Sequence, residues 1–380
     1  MSAPDVFGWC PGALRPMQSG DGLVVRLRVP LGRLTPIQTR EIARLSQACG
    51  DGMIDLSARA NLQLRGVQAD TYPELMDGLR ALYLIDADVA TEARRNIVLT
   101  PFWAQQDESH RVALDLHDAL AEPNAPDLPS KFGFAVDCGD SPMLSQVSAD
   151  IRIERGHKGL ICRADDAEAG CPVTAETAAQ AALSLAHWFA QTGGVVEGRG
   201  RMAAHIARVG APPDATMRPL PASAQAHLGA TAAGRLVGLA FGQTTAQDFA
   251  RLAEVGPLRL TPWRMILIEG AAASGTLPGF ITAPTDPRRN ISVCTGAPGC
   301  RQGLSSTRDV AAEIARALPA AQNRSLHISG CAKGCAHPTP ADITLTAQSQ
   351  GRFHLIRNGR ASDTPEGANL RLPELLSRML

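Results

Sequence analysis

The stretch GLVVRLRVPLGRLTPIQTREIARLSQACGDGMIDLSARANLQLRGV, at residues 22–67, decides the fold because a shorter copy of it returns later in the chain. The copy, GRLVGLAFGQTTAQDFARLAEVGPLRLTPWRMILIEG, occupies residues 234–270. Both copies predict a strand, a helix and a second strand, in that order. In the first copy, Thr35 as N-cap and Pro36 at the first helical position mark the helix start, and Gly50 follows its end.

The blocks that follow each copy also recur in the same order. ARRNIVLT at 93–100 corresponds to PRRNISVC at 287–294, and residues 148–163 correspond to residues 340–357. The order predicts a duplicated α+β fold, in which two ferredoxin-like half-domains are each completed by a mixed α/β region and the halves are related by a pseudo-twofold axis.

The repeat also predicts the domain boundaries. A long apolar-faced helix is expected at about 174–191, and a segment rich in Pro and Ala follows it. The predicted parts are a first ferredoxin-like half-domain at 1–90, a first α/β domain at 91–209, a linker at 210–232, a second ferredoxin-like half-domain at 233–285 and a second α/β domain at 286–380. Of the two α/β domains, only the second is predicted to bind a metal cluster, through the cysteines described next.

Four cysteines near the C-terminus carry the strongest chemical signal. Cys294 and Cys300 stand in SVCTGAPGCRQG, and Cys331 and Cys335 stand in SGCAKGCAHP, so both pairs lie in turns of small residues. Four thiolates are what a [4Fe–4S] cluster needs, although a zinc site, two disulfides or unligated thiols stay open on spacing alone. The remaining cysteines are scattered and are expected to be small buried apolar residues: Cys10, Cys49, Cys138, Cys162 and Cys171.

Composition excludes several function classes. The 380 residues carry 37 Lys+Arg and 37 Asp+Glu with only 4% aromatic residues, which disfavours nucleic acid as a partner. No apolar run reaches the roughly 18 residues of a membrane span, and the first residues lack the pattern of a signal peptide. We therefore expect a cytoplasmic protein, in which disulfides are rare. No G-x-G-x-x-G follows a predicted strand, so electrons are expected from a separate donor.

Several segments together resemble the sulfite/nitrite reductase family, which pairs a [4Fe–4S] cluster with sirohaem. The family motif T-x-R-Q-x-x-Q stands here as SARANLQ at 57–63, its R-N-V/I segment as RNI at 95–97, and its LPRK segment as LPSK at 128–131. The two cysteine pairs match as well. The resemblance implies that Cys335 bridges the cluster and a sirohaem-type iron.

Departures from that pattern favour one branch of the family. The usual second lysine is replaced by Gly133, and the usual Asn between the last two cysteines is Lys333. The opening WCPGALRPMQSGDG at 9–22 and the turn at 329–338 resemble the oxygen-dependent branch of cobalamin biosynthesis. The resemblance implies hydroxylation of precorrin-3A at C-20 by O2, with γ-lactone formation and electrons from a reductase or ferredoxin. The alternative is a sirohaem-dependent sulfite or nitrite reductase.

The resemblance and the poly-acidic substrate together predict the site residues. Arg59, Arg95 and Lys131 are the expected catalytic cations. Arginine binds carboxylates in bidentate fashion, so the predicted substrate-binding set is mainly basic. It comprises Arg59, Gln63, Arg65, Arg94, Arg95, Asn96, Lys131, Arg288, Arg289 and Lys333. A non-haem iron in place of haem also stays open. Its candidate ligands are His337, beside the cluster turn, and the motif-free His110, His117 and His157.

Overall fold

The structure is a computed structural model that describes residues 10–212, 214–272, 275–318 and 324–379. Trp9, the first residue of the predicted opening motif, and residue 213 of the predicted linker lie outside these ranges. Among the helices within them, none has both the length and the apolar composition that a bilayer crossing requires.

The first half of the chain contains ten strands and six helices within the described ranges. The strands are β1 (Met17–Gln18), β2 (Leu23–Leu27), β3 (Arg33–Leu34), β4 (Met53–Leu56), β5 (Leu62–Val67), β6 (Ile97–Leu99), β7 (Phe134–Asp137), β8 (Ile151–Gly156), β9 (Gly159–Ala164) and β10 (Cys171–Val173). The helices are α1 (Pro36–Cys49), α2 (Tyr72–Ala81), α3 (Val89–Arg94), α4 (Glu108–Ala121), α5 (Ala175–Gln191) and α6 (Met202–Val209).

The second half contains eleven strands and three helices within the described ranges. The strands are β11 (Gly229–Thr231), β12 (Gly234–Leu239), β13 (Gln243–Thr245), β14 (Leu258–Leu260), β15 (Met265–Glu269), β16 (Phe280–Ile281), β17 (Ile291–Val293), β18 (Leu326–Ser329), β19 (Ala341–Ser349), β20 (Arg352–Gly359) and β21 (Gly367–Leu370). The helices are α7 (Ala246–Leu252), α8 (Arg308–Ala317) and α9 (Leu372–Met379).

The strands form four sheets, two for each half of the chain. The ferredoxin-like sheets have the orders β1-β2-β5-β4-β13 and β11-β12-β15-β14-β3, and β16 also pairs with β12. The other two sheets have the orders β10-β9-β8-β7-β6 and β17-β18-β19-β20-β21. In both of these, the first three strands in sequence run parallel and the remaining pairings are antiparallel. The predicted α+β duplication is confirmed.

The backbone repeats in detail between the halves. Leu31 and Phe241, each in a short turn after an inner strand, have φ values of 53° and 59°. Ala60 and Arg264, in the turns before β5 and β15, have φ values of 55° and 57°. Non-glycine residues seldom adopt this left-handed conformation. Its return at equivalent positions therefore shows that the two halves repeat the same local backbone conformation.

Each ferredoxin-like sheet is completed by a strand from the other half. Thr244 of β13 lies opposite Ile54 of β4, and Leu34 of β3 lies opposite Leu258 of β14. One continuous apolar core consequently includes residues of both halves, such as Leu34 and Phe249. The boundaries predicted at 90, 209, 232 and 285 stay predictions, but the two ferredoxin-like units share their edges.

The predicted linker 210–232 stays a prediction, and parts of it form regular pairings. Its last part forms β11, which pairs with β12, and residues further back form isolated bridges, Gly156 with Pro219 and Gly170 with Met217. Backbone N–H and C=O groups of this segment form hydrogen bonds with residues of the first α/β region, over which the segment runs. The predicted long helix is confirmed as α5, which follows Thr174 as its N-cap.

Candidate functional site

A group of cations surrounds the start of β7 and forms what we call the basic basin: Arg26, Arg59, Lys131, Arg199 and Arg201. Arg59 follows β4, and Arg201 stands immediately before α6. Lys131, Arg199 and Arg201 line one cavity of about 160 Å³. Burial lowers the pKa of the Arg59 guanidinium, and the charge of Arg201 lowers that pKa further. The basin therefore concentrates positive charge that the described protein groups only partly neutralise.

The carboxylate of Asp150 organises the floor of the basic basin. It is fully buried, and its two oxygens accept hydrogen bonds from Arg201 Nε at 2.8 Å, Met202 N at 2.8 Å and Gly133 N at 3.0 Å. Two separate segments, at residue 133 and at residues 201–202, therefore converge on one side chain. Because a charged acceptor makes stronger hydrogen bonds than a neutral one, Asp150 fixes their relative positions.

Gly133 occupies the position where the resemblance predicts a second lysine, and the structure leaves little room there. A Cβ atom on Gly133 would lie 2.7 Å from Asn96 Nδ2 and 3.5 Å from Arg59 Nη1. The Asn96 amide in turn donates to the Phe132 carbonyl at 3.1 Å, which holds it in place. The missing cation is therefore accompanied by a local backbone and side-chain arrangement that excludes any larger residue.

A polar row on the first ferredoxin-like sheet continues from the basic basin. Arg26 on β2 donates to Gln63 Oε1 on β5 at 2.6 Å. Further along, Asp55 on β4 accepts from Gln243 at 2.9 Å and from Arg308 at 2.9 Å. Charged groups on a sheet face are favourable only where water or a ligand meets them, or where they pair. This row gives the sheet a polar face directed away from its apolar core.

The four predicted cluster cysteines lie on two neighbouring loops. Cys294 and Cys300 follow β17, and Cys331 and Cys335 follow β18. These strands are parallel neighbours, so their carboxyl ends meet at the same edge of the sheet. Each of the other three thiols contributes to raising the pKa of Cys335, after the larger effect of desolvation, although Cys335 is the exposed member. The structure thus brings all four together.

Glycines let these two loops approach each other. Gly330 N donates to Cys294 Sγ at 3.0 Å. A Cβ on Gly330 would lie 3.1 Å from Gly296 Cα and 3.3 Å from Gly303 Cα. Within the described ranges, no three His, Cys, Asp or Glu side chains converge on a point where they could hold one metal ion.

Comparison with known proteins shows which family the chain resembles. Residues 15–82 match the model of the nitrite/sulfite reductase ferredoxin-like half domain. The chain is 29% identical to a precorrin-3B synthase of Sinorhizobium sp over 94% of its own length and 84% of the relative's. It is 25% identical to a ferredoxin–nitrite reductase of Leptolyngbya laminosa, over 89% of its own length and 78% of the relative's. The structure of the Mycobacterium tuberculosis NirA protein has the same fold, with a TM-score of 0.66, 18% identity and coverage of 92% and 77% of the two chains.

The chain is similar to the sulfite/nitrite reductase family along most of its length. The family resemblance predicted from the motifs is confirmed, together with the fold. The two curated relatives are named as enzymes, a precorrin-3B synthase and a ferredoxin–nitrite reductase, and the chain is an enzyme of the oxidoreductase class.

Within this family fold, some predicted binding residues are already occupied by protein partners. Arg95 is buried in an ion pair with Asp86, and Arg94 donates to the Ala125 carbonyl at 3.0 Å. Arg65 lies outside the basic basin, at the far end of the polar row. These contacts reduce what the three guanidinium groups can offer a substrate, and their predicted binding roles stay predictions.

The remaining predicted cations lie in the second half. Arg288 makes a bidentate pair with Asp286 at 2.9 and 2.6 Å, and Arg289 donates to the Pro284 carbonyl at 2.5 Å. Both line a cavity of about 90 Å³ together with Arg264, so they do not join the basic basin. Lys333 is exposed between Cys331 and Cys335, and its charge favours the thiolate of Cys335.

Four residues of the site were not predicted from the sequence: Arg26, Asp150, Arg199 and Arg201. Arginine is abundant in this chain, so no single arginine stood out. Asp150 is a buried polar residue in the block that repeats between the halves, and its counterpart position, Asp342, is exposed and binds Ser325. Both positions are Asp in the sequence, so the difference in burial had no sequence signal.

Proposed function

We propose that the chain is a monooxygenase of the precorrin-3B synthase type. It hydroxylates C-20 of precorrin-3A with one atom of O2, closes a ring-A acetate to a γ-lactone, and releases the other oxygen atom as water with two electrons from an external reductase or ferredoxin. The single observation that carries the proposal is the basic basin beside a position, Gly133, that has no room for the second lysine. The precorrin-3B synthase relative, which aligns with 94% of the chain, supports it.

The basin suits a large poly-acidic ring better than a small oxyanion. Its cations are spread over several elements, from β2 to the turn before α6, and its cavity at Lys131 is large enough for a carboxylate-bearing side chain. A hydrogen bond between a guanidinium and a charged partner contributes roughly 1.5–3 kcal/mol, so several such contacts would bind and orient the ring.

We further propose that Cys294, Cys300, Cys331 and Cys335 hold a [4Fe–4S] cluster. The donor set fits because four thiols stand on adjacent loops, and the Gly330 N–H that points at Cys294 Sγ can stabilise a thiolate. When bound, the cluster supplies single electrons. If a sirohaem-type haem is bound, exposed Cys335 would be its protein ligand, and a non-haem iron held by His337 is the alternative for O2 activation.

The cofactor proposal is tested by Cys335→Ser. Anaerobically reconstituted protein should lose most of its iron and sulfide and its cluster EPR signal, because one of four ligands is gone. Cys171→Ser, a half-buried cysteine far from these loops, is the matched control and should retain them. Full iron and sulfide content in Cys335→Ser would refute this ligand set.

The activity is tested with reconstituted protein, a chemical reductant and ¹⁸O2. Precorrin-3A should gain one labelled oxygen atom by mass. A second candidate, sirohaem-dependent reduction of sulfite or nitrite, is favoured by the match of Arg59, Arg95 and Lys131 to the motif positions of the family it resembles and by the nitrite reductase relative. Sulfite or nitrite turnover with precorrin-3A unchanged would overturn the monooxygenase proposal.

A further inference from the structure

We propose that Arg201 and Arg59 form a two-guanidinium clamp that binds one carboxylate of the tetrapyrrole substrate. This inference rests on the proposed function and adds a substrate-binding residue, Arg201, that comes from the turn before α6. It concerns a side-chain carboxylate of the ring, not the reacting C-20 atom.

The clamp is already assembled around a neutral oxygen. Ser148 Oγ accepts from Arg59 Nη2 at 2.9 Å and from Arg201 Nη2 at 3.2 Å. Two guanidinium groups therefore share one hydroxyl, an arrangement that brings like charges together without an anion between them. Like charges at short range are unfavourable unless an opposite charge joins them. A carboxylate in front of the pair would relieve the repulsion and gain charge-assisted hydrogen bonds.

Asp150 positions Arg201 but does not neutralise the positive charge of the clamp. A buried Asp150 oxygen accepts a hydrogen bond from Arg201 Nε at 2.8 Å. Arg201 Nη2 donates to Ser148 Oγ and not to this carboxylate. One carboxylate thus faces two guanidinium groups, so the local charge stays positive. Asp150 also binds the N–H of Met202, so it fixes the turn that carries Arg201.

The wall of the adjoining cavity adds more unneutralised charge. Lys131 and Arg199 line the same cavity of about 160 Å³ as Arg201. Among the described residues, neither of these two side chains has a hydrogen-bond or ion-pair partner. The cavity is too small for a macrocycle but suits one acetate or propionate arm. We therefore expect the ring to lie outside it and to insert an arm toward the clamp.

Two anion sources share this chemistry, a carboxylate arm and a small inorganic anion, and the experiment separates them. The probes are uroporphyrin III, a stable polycarboxylate ring, and sulfite. Binding of uroporphyrin to the full-length reconstituted protein is followed by fluorescence. We expect the Kd for uroporphyrin to rise about 10- to 100-fold in Arg201→Gln, since a charged hydrogen bond contributes roughly 1.5–3 kcal/mol. Arg201→Lys should rescue part of the affinity.

The control is Arg208→Gln, an exposed arginine on the same helix whose guanidinium donates to the Gly193 carbonyl. It should bind uroporphyrin like the unmodified protein, and thermal unfolding should confirm that all variants are folded. With precorrin-3A, Arg201→Gln should raise KM far more than it lowers kcat, because the clamp holds an arm distant from the reacting carbon.

The outcomes separate the clamp from the proposed function. If unmodified protein hydroxylates precorrin-3A and Arg201→Gln does so with the same KM and the same Kd for uroporphyrin, the clamp is refuted and the function stands. If Arg201→Gln loses sulfite binding but keeps uroporphyrin binding, the clamp holds an inorganic anion and the carboxylate assignment is overturned. If unmodified protein neither binds uroporphyrin nor converts precorrin-3A, the proposed function fails and the clamp with it.

Discussion

Gly133 shows how one missing side chain shapes the candidate site. Its substitution by Ala would place a Cβ atom 2.7 Å from Asn96 Nδ2, and Asn96 is buried and already bonded to Phe132 O. We predict that Gly133→Ala destabilises the protein by about 1–3 kcal/mol, the usual range for overpacking. It should also weaken uroporphyrin binding, because the added Cβ would lie 3.5 Å from Arg59 Nη1 in the basic basin.

Gly139 provides the matched control for this prediction. It lies just beyond the same strand, its φ is not in the left-handed region, and a Cβ there would meet no atom within 4 Å. Gly139→Ala should leave the thermal unfolding midpoint nearly unchanged. Equal midpoints for the two variants would show that the space at Gly133 is larger than the structure indicates.

Asp137, at the end of β7, should make stability depend on pH. Burial raises the pKa of its carboxyl to about 6, although the N–H groups of Met143 and Leu144 donate to it. The unfolded carboxyl titrates near 4, so between about pH 4 and 6 the folded state binds more protons. Stability contributed by the protonated form is therefore complete below about pH 4 and is lost as pH rises toward 6, by up to about 3 kcal/mol.

The comparison of unmodified protein with Asp137→Asn isolates this effect. The amide does not titrate, so the difference in unfolding free energy between variant and unmodified protein should shift in favour of the variant as pH rises from 4 to 6. It should then stay constant to pH 8. Parallel stability curves across the whole range would contradict the assignment of this titration to Asp137.

At the scale of elements, the exchanged edge strands join the two halves. Glu269, at the end of β15, accepts two bonds from Arg33 of β3 at 2.8 Å and one from Arg259 of β14 at 2.6 Å. The pKa of Glu269 is lowered because these hydrogen bonds outweigh the opposing effect of burial. One carboxylate therefore links β3, which comes from the first half of the chain, to β14 and β15 of the second ferredoxin-like sheet.

We predict that Glu269→Gln destabilises the protein by about 2–3 kcal/mol. Arg259 would remain largely buried with a weaker partner, and unpaired buried charges are costly. Amide hydrogen exchange should rise first at residues 33–35, where β3 enters the second sheet. Glu41→Gln, which breaks an exposed pair with Arg44 on α1, should have almost no effect, and exchange that is unchanged at 33–35 would contradict the role of Glu269.

How much of this could be predicted from the sequence depends on whether contacts are local or distant. Helix caps and the repeat of blocks were readable because they depend on neighbours along the chain, and Thr35 does cap α1 with its capping box. The strand exchange was not readable, because β3 and β13 are too short to carry a pairing signal. Arg201 and Asp150 were missed for a related reason, since 51 positions separate residues that meet in space.

The same reasoning explains why the predicted arginines lie in different parts of the structure and not in one site. Every arginine can bind a carboxylate through its guanidinium group. In the fold, some of these arginines pair with Asp side chains of the protein and are therefore less available to a substrate carboxylate. Arg95 pairs with Asp86 and Arg288 with Asp286, whereas Asp150 is the one carboxylate that the described residues offer to the cations of the basic basin. Partner assignment of this kind depends on tertiary packing and has no local sequence pattern.

At the scale of the whole molecule, Arg65 connects the first ferredoxin-like sheet to the cysteine loops. It is 5% exposed, pairs with Asp21 at 2.9 Å and Asp55 at 3.4 Å, and donates to the Gly299 carbonyl at 3.0 Å, next to Cys300. One guanidinium thus joins β5, the opening segment and the loop that carries the first cysteine pair. Arg65 therefore links the first half of the chain, through its ion pairs with Asp21 and Asp55, to the second half, through its hydrogen bond to the Gly299 carbonyl.

Arg65→Met should therefore have two effects that can be measured apart. Asp21 would lose its ion pair with Arg65 and Asp55 would keep only its ion pair with Arg308, which should destabilise the protein by about 3 kcal/mol. Losing the bond to Gly299 should also loosen residues 296–303, so that reconstituted protein releases iron faster to a chelator and these amides exchange faster. Arg152→Met is the matched control, because Arg152 is equally buried and pairs with Asp165 in the first α/β region. It should lower stability without accelerating iron release, and equal iron release by the two variants would show that Arg65 acts only through global stability.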